Sequence, residues 1–171
     1  AAEHHGGRHI SAIYVTSLQR THETAAPLAA LLDLEPNVEA DLREVHLGDW
    51  EGGALRLRAA AGDPLFAQLV AEERWDVIPG AEPAADFAAR VSDGLGRIAD
   101  AHPDQTVVAV VHGGVIGQLL ATATGRPGFA FAGSDNTGIS ELVVERSGRW
   151  VVRRFNDTAH LDLPGWPDPA A

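Results

Sequence analysis

The segment VVAVVHGGVIGQLL, residues 107–120, constrains the fold of this chain more than any other. A continuous apolar run reads as a strand buried on both faces, the pattern of a parallel sheet covered by helices. Here the run TVVAVV ends at His112, and two glycines, Gly113 and Gly114, precede the helical pattern VIGQLLATATG. The strand therefore delivers an imidazole to its carboxyl end, where the glycines expose backbone N–H groups at a helix start.

A second unit of the same kind lies nearer the beginning. ISAIYVT, residues 10–16, is rich in β-branched side chains and reads as a buried strand. SLQRTHETAAPLAALL then changes period, with Leu18, Thr21, Ala25, Leu28 and Leu32 at helical spacing and Ser17 placed as the N-cap. Residues 41–53, DLREVHLGDWEGG, have no clean period and read as a structured loop. LRLRAAAGDPLFAQLVAEERW is expected to be a broken helix, interrupted near Gly62, Asp63 and Pro64. After PGAEP, with Pro83 in a first turn, Phe87, Val91, Leu95 and Ile98 form the apolar stripe of a longer helix. Residues 138–145 and 149–155 read as a hairpin turning at Ser147 and Gly148. The Pro-rich tail, residues 162–171, is expected to be mobile. Alternating strands and helices give an α/β fold, a three-layer α/β/α sandwich with a mostly parallel central sheet, as one domain over residues 1–171.

Composition removes several function classes. Without cysteine, the chain has no disulfides, thiolate nucleophiles or cysteine metal sites. Its 13 Lys and Arg against 24 Asp and Glu give a formal charge of -11, which repels nucleic acid and anionic membranes. A local basic pocket can still take a small anion. No apolar run approaches the roughly 18 residues of a membrane helix, and no signal-peptide pattern opens the chain, so a cytoplasmic location is expected. AAEHHGGRH reads as the last turn of a helix stopped by Gly-Gly, so the chain is expected to begin inside a domain.

In α/β sheets, ligands bind beyond the carboxyl ends of the strands. Two such ends carry polar chemistry here, residues 16–20 and residues 112–114. Taken alone, His112 reads first as a packed core histidine and Glu44 as a surface carboxylate, while Arg20 reads equally as a solvated helix arginine. In this setting, Arg20 projects from a strand-to-helix corner, where a guanidinium can grip phosphate with paired donors. Glu44 lies in LREVHLGDWEG between apolar Leu42 and Val45, a placement that raises its pKa toward a general acid's range.

SLQRTHETA, LREVHLGDWEG, PGAEPAADFAARV and VVHGGVIG, in this order and spacing, together with the ending FNDTAHL, resemble the histidine phosphatase superfamily, the phosphoglycerate mutase-like fold. The likeness spans about residues 10–161. It implies phosphoryl transfer in two steps. A histidine attacks the phosphoester while a glutamate protonates the leaving oxygen, and the same glutamate then activates water. Carried over by motif, Arg20 binds the phosphoryl oxygens, Glu44 is the acid/base, and His112 is a second histidine contacting the phosphoryl group, with the Gly113 N–H close by. Neither a metal nor another cofactor is implied, because arginine and histidine supply the positive charge.

The family's Arg-His-Gly triplet, which supplies the nucleophile after its first strand, occurs nowhere in these residues. RHI at 8–10 leads into a strand rather than out of one. Two explanations stay open: the first strand and its triplet are encoded upstream, or the chain is a non-catalytic relative that still binds phosphoesters. Ala81 and Pro83 also stand where the family often has Gly and Ser. The stretch over residues 50–79 is short, whereas family mutases carry a longer insertion, so hydrolysis of a small phosphomonoester is expected, with a mutase as the alternative. The expected partner is that small phosphorylated substrate, with no nucleic acid and no membrane; a homo-oligomer is left open. HHGGRH is read as a polar helix end rather than a metal site, and His22 and His46 receive no role.

Overall fold

The computed structural model describes residues 9–161, so the expected mobile tail and the helix-end reading of AAEHHGG lie outside the described residues. Strand β1 (Ile10–Val15) runs parallel to β3 (Thr106–Val110), with Tyr14 opposite Ala109 and Val15 opposite Val110. Its other edge pairs with the two-residue β2 (Asn37–Val38), giving a parallel sheet of order β2-β1-β3. Helices α1 (Gln19–Leu32) and α5 (Gly113–Thr124) follow β1 and β3, as the change of sequence period requires.

Side-chain alternation along the strands sorts the core into two faces. Ile13, Val15, Val108 and Val110 pack with Ala25, Leu28, Ala29 and Leu32 of α1. Tyr14, Val107 and Val111 belong to the second cluster, built from α5 and α4 (Ala84–Ala101) with Leu42 and Val45 of the intervening loop. Helices thus cover both sides of the parallel sheet. On α4, Phe87, Val91 and Ile98 are almost wholly buried, each contributing on the order of 1.5–3 kcal/mol by leaving water. A third cluster, Trp50, Leu69 and Ile78, sits with α2 (Ala54–Ala60) and α3 (Pro64–Glu72).

The break at residues 62–64 is real: Asp63 accepts from the Leu65 N–H as N-cap, and Pro64 opens α3. The unperiodic loop holds two short 3-10 turns, Ala40–Leu42 and Gly48–Trp50. Three expectations need correction. Ser17 does not cap α1, because Leu18 holds that position; the turn is tied instead by Thr21, whose N–H and Oγ1 both donate to the Leu18 carbonyl. Pro83 is the N-cap of α4 rather than part of its first turn.

The third correction concerns β3, which reads as fully buried and is half-buried, with Ala109 exposed. Among the described residues it pairs on one edge only. β4 (Ile139–Val144) and β5 (Trp150–Asp157) form their own antiparallel sheet, and both β3 and β4 line one cleft. Among the described residues, a parallel three-stranded sheet and an antiparallel pair thus stand as two pieces. An apolar run signals burial only where both edges and both faces are covered.

The loop after β2 is held against residues 79–82. Gly48 has φ +52, and a Cβ there would lie 2.3 Å from Gly80 C and Pro79 O; next to it, Asp49 N–H donates to Pro79 O at 3.0 Å. Backbone cannot yield as a side-chain tip does. Gly48→Ala is expected to cost about 3 kcal/mol or more in urea denaturation. A loss below about 1 kcal/mol would show that this backbone contact is not tight.

Candidate active site

The β1–β3 pairing sets the residues just beyond each strand side by side. Thr16 Oγ1 lies 3.0 Å from His112 Nε2, and Thr16, Thr21 and His112 are all buried. Thr21 Oγ1 donates to the Leu18 carbonyl at 2.8 Å, so toward Thr16 it acts as acceptor, taking the Thr16 N–H at 3.1 Å and the Thr16 hydroxyl at 3.2 Å. Thr16 Oγ1 in turn accepts from the Leu18 N–H. The Thr16 hydroxyl and His112 Nε2 thus share one hydrogen bond, whose donor is set by the ring tautomer. Nδ1 has no hydrogen-bond partner among the described residues.

His112 is also the N-cap of α5, and the two glycines after it are the first residues of that helix. They differ in surroundings. Gly113 is open, since a Cβ there would meet nothing within 4 Å, whereas a Cβ on Gly114 would lie 2.4 Å from Glu44 Oε1. Glu44 reaches this point from the loop, its Oε2 accepting from the Gly114 N–H at 3.2 Å and its Oε1 from the Val45 N–H at 3.0 Å. Burial raises the Glu44 pKa, and the N–H groups of Val45 and Gly114, the Arg20 charge and the Val115 N–H offset this only in part.

Arg20 stands exposed in the first turn of α1. It has no ion-pair or side-chain hydrogen-bond partner among the described residues, yet its charge acts on both Glu44 and His112. His112 is pushed down to about 4, first by burial and then by Arg20, so its ring is neutral at pH 7. Arg20, Glu44, His112 and Gly113 line the same cleft. The structure thus brings together the residues singled out in the sequence. Among the described residues no group of three or more histidine or carboxylate side chains is placed to hold a metal. No described helix is long and apolar enough to cross a membrane.

Residues 1–158 match the histidine phosphatase superfamily, branch 1. The chain belongs to that family. It is 34% identical over 161 residues to phosphoglycerate mutase-like protein 4 of Arabidopsis thaliana, covering 92% of this chain and 69% of the relative. It is 33% identical over 178 residues to glucosyl-3-phosphoglycerate phosphatase of Mycobacterium tuberculosis, covering 97% of this chain and 77% of that protein. The native structure of the mycobacterial glucosyl-3-phosphoglycerate phosphatase superposes with a TM-score of 0.75 at 30% identity, over 92% of this chain and 81% of the other.

Sequence reasoning missed two contributors to this arrangement. The Thr16 and Thr21 hydroxyls orient His112, but β-branched residues at a strand end carry no signal of where a hydroxyl points. Gly114 is needed for the close approach of Glu44, a long-range contact that two adjacent glycines do not announce.

The electrostatics give a measurable consequence. Because an unfolded histidine titrates near 6.5, the folded chain binds fewer protons than the unfolded one as pH falls from that value to about 4. The stability associated with His112 is therefore complete above 6.5 and lost toward 4. Glu44, with a raised pKa, contributes the opposite slope. By NMR, the His112 ring is expected to titrate near 4, and Arg20→Gln should move it upward. A ring that titrates identically in both proteins would remove Arg20 from its surroundings.

Proposed function

We propose that this chain forms the active site of a metal-independent phosphomonoester hydrolase that works through a phosphohistidine on a small phosphorylated metabolite. The observation that carries the reading is one cleft holding an arginine with no partner among the described residues, a neutral buried histidine and a half-buried glutamate whose pKa burial raises. A relative named as a phosphatase supports hydrolysis, and one named as phosphoglycerate mutase-like keeps mutase chemistry as the alternative. Arg20 grips the phosphoryl oxygens through paired N–H donors. The Gly113 N–H and the His112 ring complete the contacts, and His112 takes up positive charge as the phosphoryl group crowds it.

The nucleophile in this reading is the imidazole of the family's Arg-His-Gly triplet, which the 171 residues do not contain; turnover requires the gene to encode it ahead of Ala1. That imidazole nitrogen bonds to phosphorus as the ester P–O bond breaks, and Glu44 gives its proton to the departing oxygen. Water then attacks phosphorus, its proton passes to Glu44, and the P–N bond breaks to release inorganic phosphate. Burial of Glu44 suits both halves, because a pKa raised by desolvation brings the carboxyl closer to the range in which one group can give a proton and take it back.

The alternative is a phosphoester-binding relative without turnover. Acid-quenched labelling of the full gene product with a phosphorus-32 phosphomonoester separates the two: acid-labile phosphohistidine is expected, and its absence alongside tight binding of the ester would establish the binding protein. Release of free phosphate rather than an isomerised ester separates hydrolase from mutase. Glu44→Gln is expected to lower kcat by roughly 10²–10⁴-fold with KM changed much less; an unchanged kcat would take Glu44 out of the reaction.

A further inference from the structure

The PGAEPAADFAARV motif contains two residues the mechanism above leaves unused, Glu82 and Arg90. Arg90 projects from α4, its side chain only one-fifth exposed, and all five of its N–H donors are engaged. Nη1 donates to the Asp41 carbonyl at 2.6 Å and the Arg43 carbonyl at 2.7 Å, while Nη2 donates to the Glu44 carbonyl at 3.2 Å. Nε and the remaining Nη2 hydrogen form a paired contact with the Glu82 carboxylate at 2.6 and 2.8 Å. Its guanidinium also sits 5.0 Å from the centre of the buried Phe87 ring.

Glu82 carries the hold to the far side of Glu44. Its Oε2 accepts from the His46 N–H at 3.3 Å, and its own N–H donates to the His46 carbonyl at 2.9 Å. One arginine and one glutamate thus fasten the backbone at residues 41, 43, 44 and 46 to α4 and the segment before it. The Glu44 side chain leaves this fastened stretch to meet the Gly114 N–H on another element.

From this geometry we infer that Arg90, braced by Glu82, is the positioning residue for Glu44, fixing the backbone from which the carboxyl reaches α5. The role presupposes the acid/base reading of Glu44, but the geometric part stands apart from turnover. A lysine cannot replace it: a single ammonium lacks the planar fork that reaches three carbonyls and a carboxylate together. Reacting groups tolerate little displacement, since an error of about 1 Å can cost roughly 10²-fold in rate.

The test reads Glu44 directly in the full chain, by carbon-13 NMR titration of its carboxyl, in wild type, Arg90→Met, Arg90→Lys and Glu82→Gln, with circular dichroism to establish folding. The charged group that acts on this carboxyl is Arg20 from α1, while Arg43 of its own loop acts on Glu82 and the His112 ring at the start of α5 lines the same cleft. Losing a nearby positive charge alone would raise the Glu44 pKa further. Losing the clamp frees the carboxyl into water, so in Arg90→Met its titration is expected to fall toward an ordinary glutamate, with smaller falls in Arg90→Lys and Glu82→Gln. In the complete enzyme, kcat should drop about 10- to 100-fold with KM within about twofold. A folded Arg90→Met in which Glu44 titrates as in wild type, or higher, overturns the proposal. If Arg90→Met does not fold, unchanged Glu44 titration in both other variants overturns it equally. Should Glu44→Gln leave turnover intact while the NMR shift appears, the acid/base reading fails and the clamp survives.

Discussion

The parallel pairing of β1 with β3 is the interaction on which the site depends. Parallel strands end at the same edge of a sheet, so Thr16 and His112, 96 positions apart in sequence, emerge as neighbours joined by a 3.0 Å contact. An antiparallel partner would send one of them to the opposite edge. The register is held by burial: Ile13, Val15, Val108 and Val110 must face α1 while Tyr14 and Val107 face the α4 and α5 side. A slip of one residue would turn each set toward the wrong layer and carry the imidazole away from the threonines.

Charge in the cleft runs against the charge of the chain. The formal charge is -11, yet the site presents an arginine that no described carboxylate pairs with and a glutamate whose burial favours the protonated form. Several other arginines are matched: Arg97 with Glu39 and Asp41, Arg90 with Glu82, Arg149 with Glu145. The exposed pairs of Arg97 and Arg149 contribute little to stability. Among the described residues no acid quenches the exposed Arg20 cation, so a small anion meets it unopposed despite the long-range repulsion.

Much of this was legible in the sequence, for reasons that differ by element. The strand-to-helix units at residues 10–32 and 106–124 announce themselves by a change of period, and both appear where expected to within a residue or two. Local chemistry also marked the break at Asp63 and Pro64. Two-residue β2 has no periodicity to read, and it exists only because Asn37 and Val38 pass the open edge of β1. The half-exposure of β3 was invisible for another reason: apolar character records what a strand can tolerate, while burial depends on which neighbours cover it. Motifs drew attention to Arg20, Glu44 and His112, but the network that holds them was silent. Thr16, Thr21, Gly114 and Arg90 act through contacts 5 to 96 residues away in sequence, which no local pattern encodes.

The adjacent glycines show how finely the N-terminus of α5 is divided. A helix start offers several N–H groups without intrahelical partners and attracts negative charge. Glu44 claims Gly114 directly and also draws on Val115, and its carboxyl fills the space a side chain at residue 114 would need. Only the Gly113 end remains open to the cleft. In the proposed reaction the helix therefore cannot act as a general cradle for phosphate; it gives one N–H to the phosphoryl group and reserves the rest for the acid. The phosphoryl charge is then shared by Arg20, by the Arg-His-Gly segment the reaction requires and by His112, whose neutral ring gains reason to accept a proton once a dianion lies beside it. The same helix start thus orients the proton donor and limits how much of the anion the backbone can hold, which is why Arg20 is indispensable to the reading.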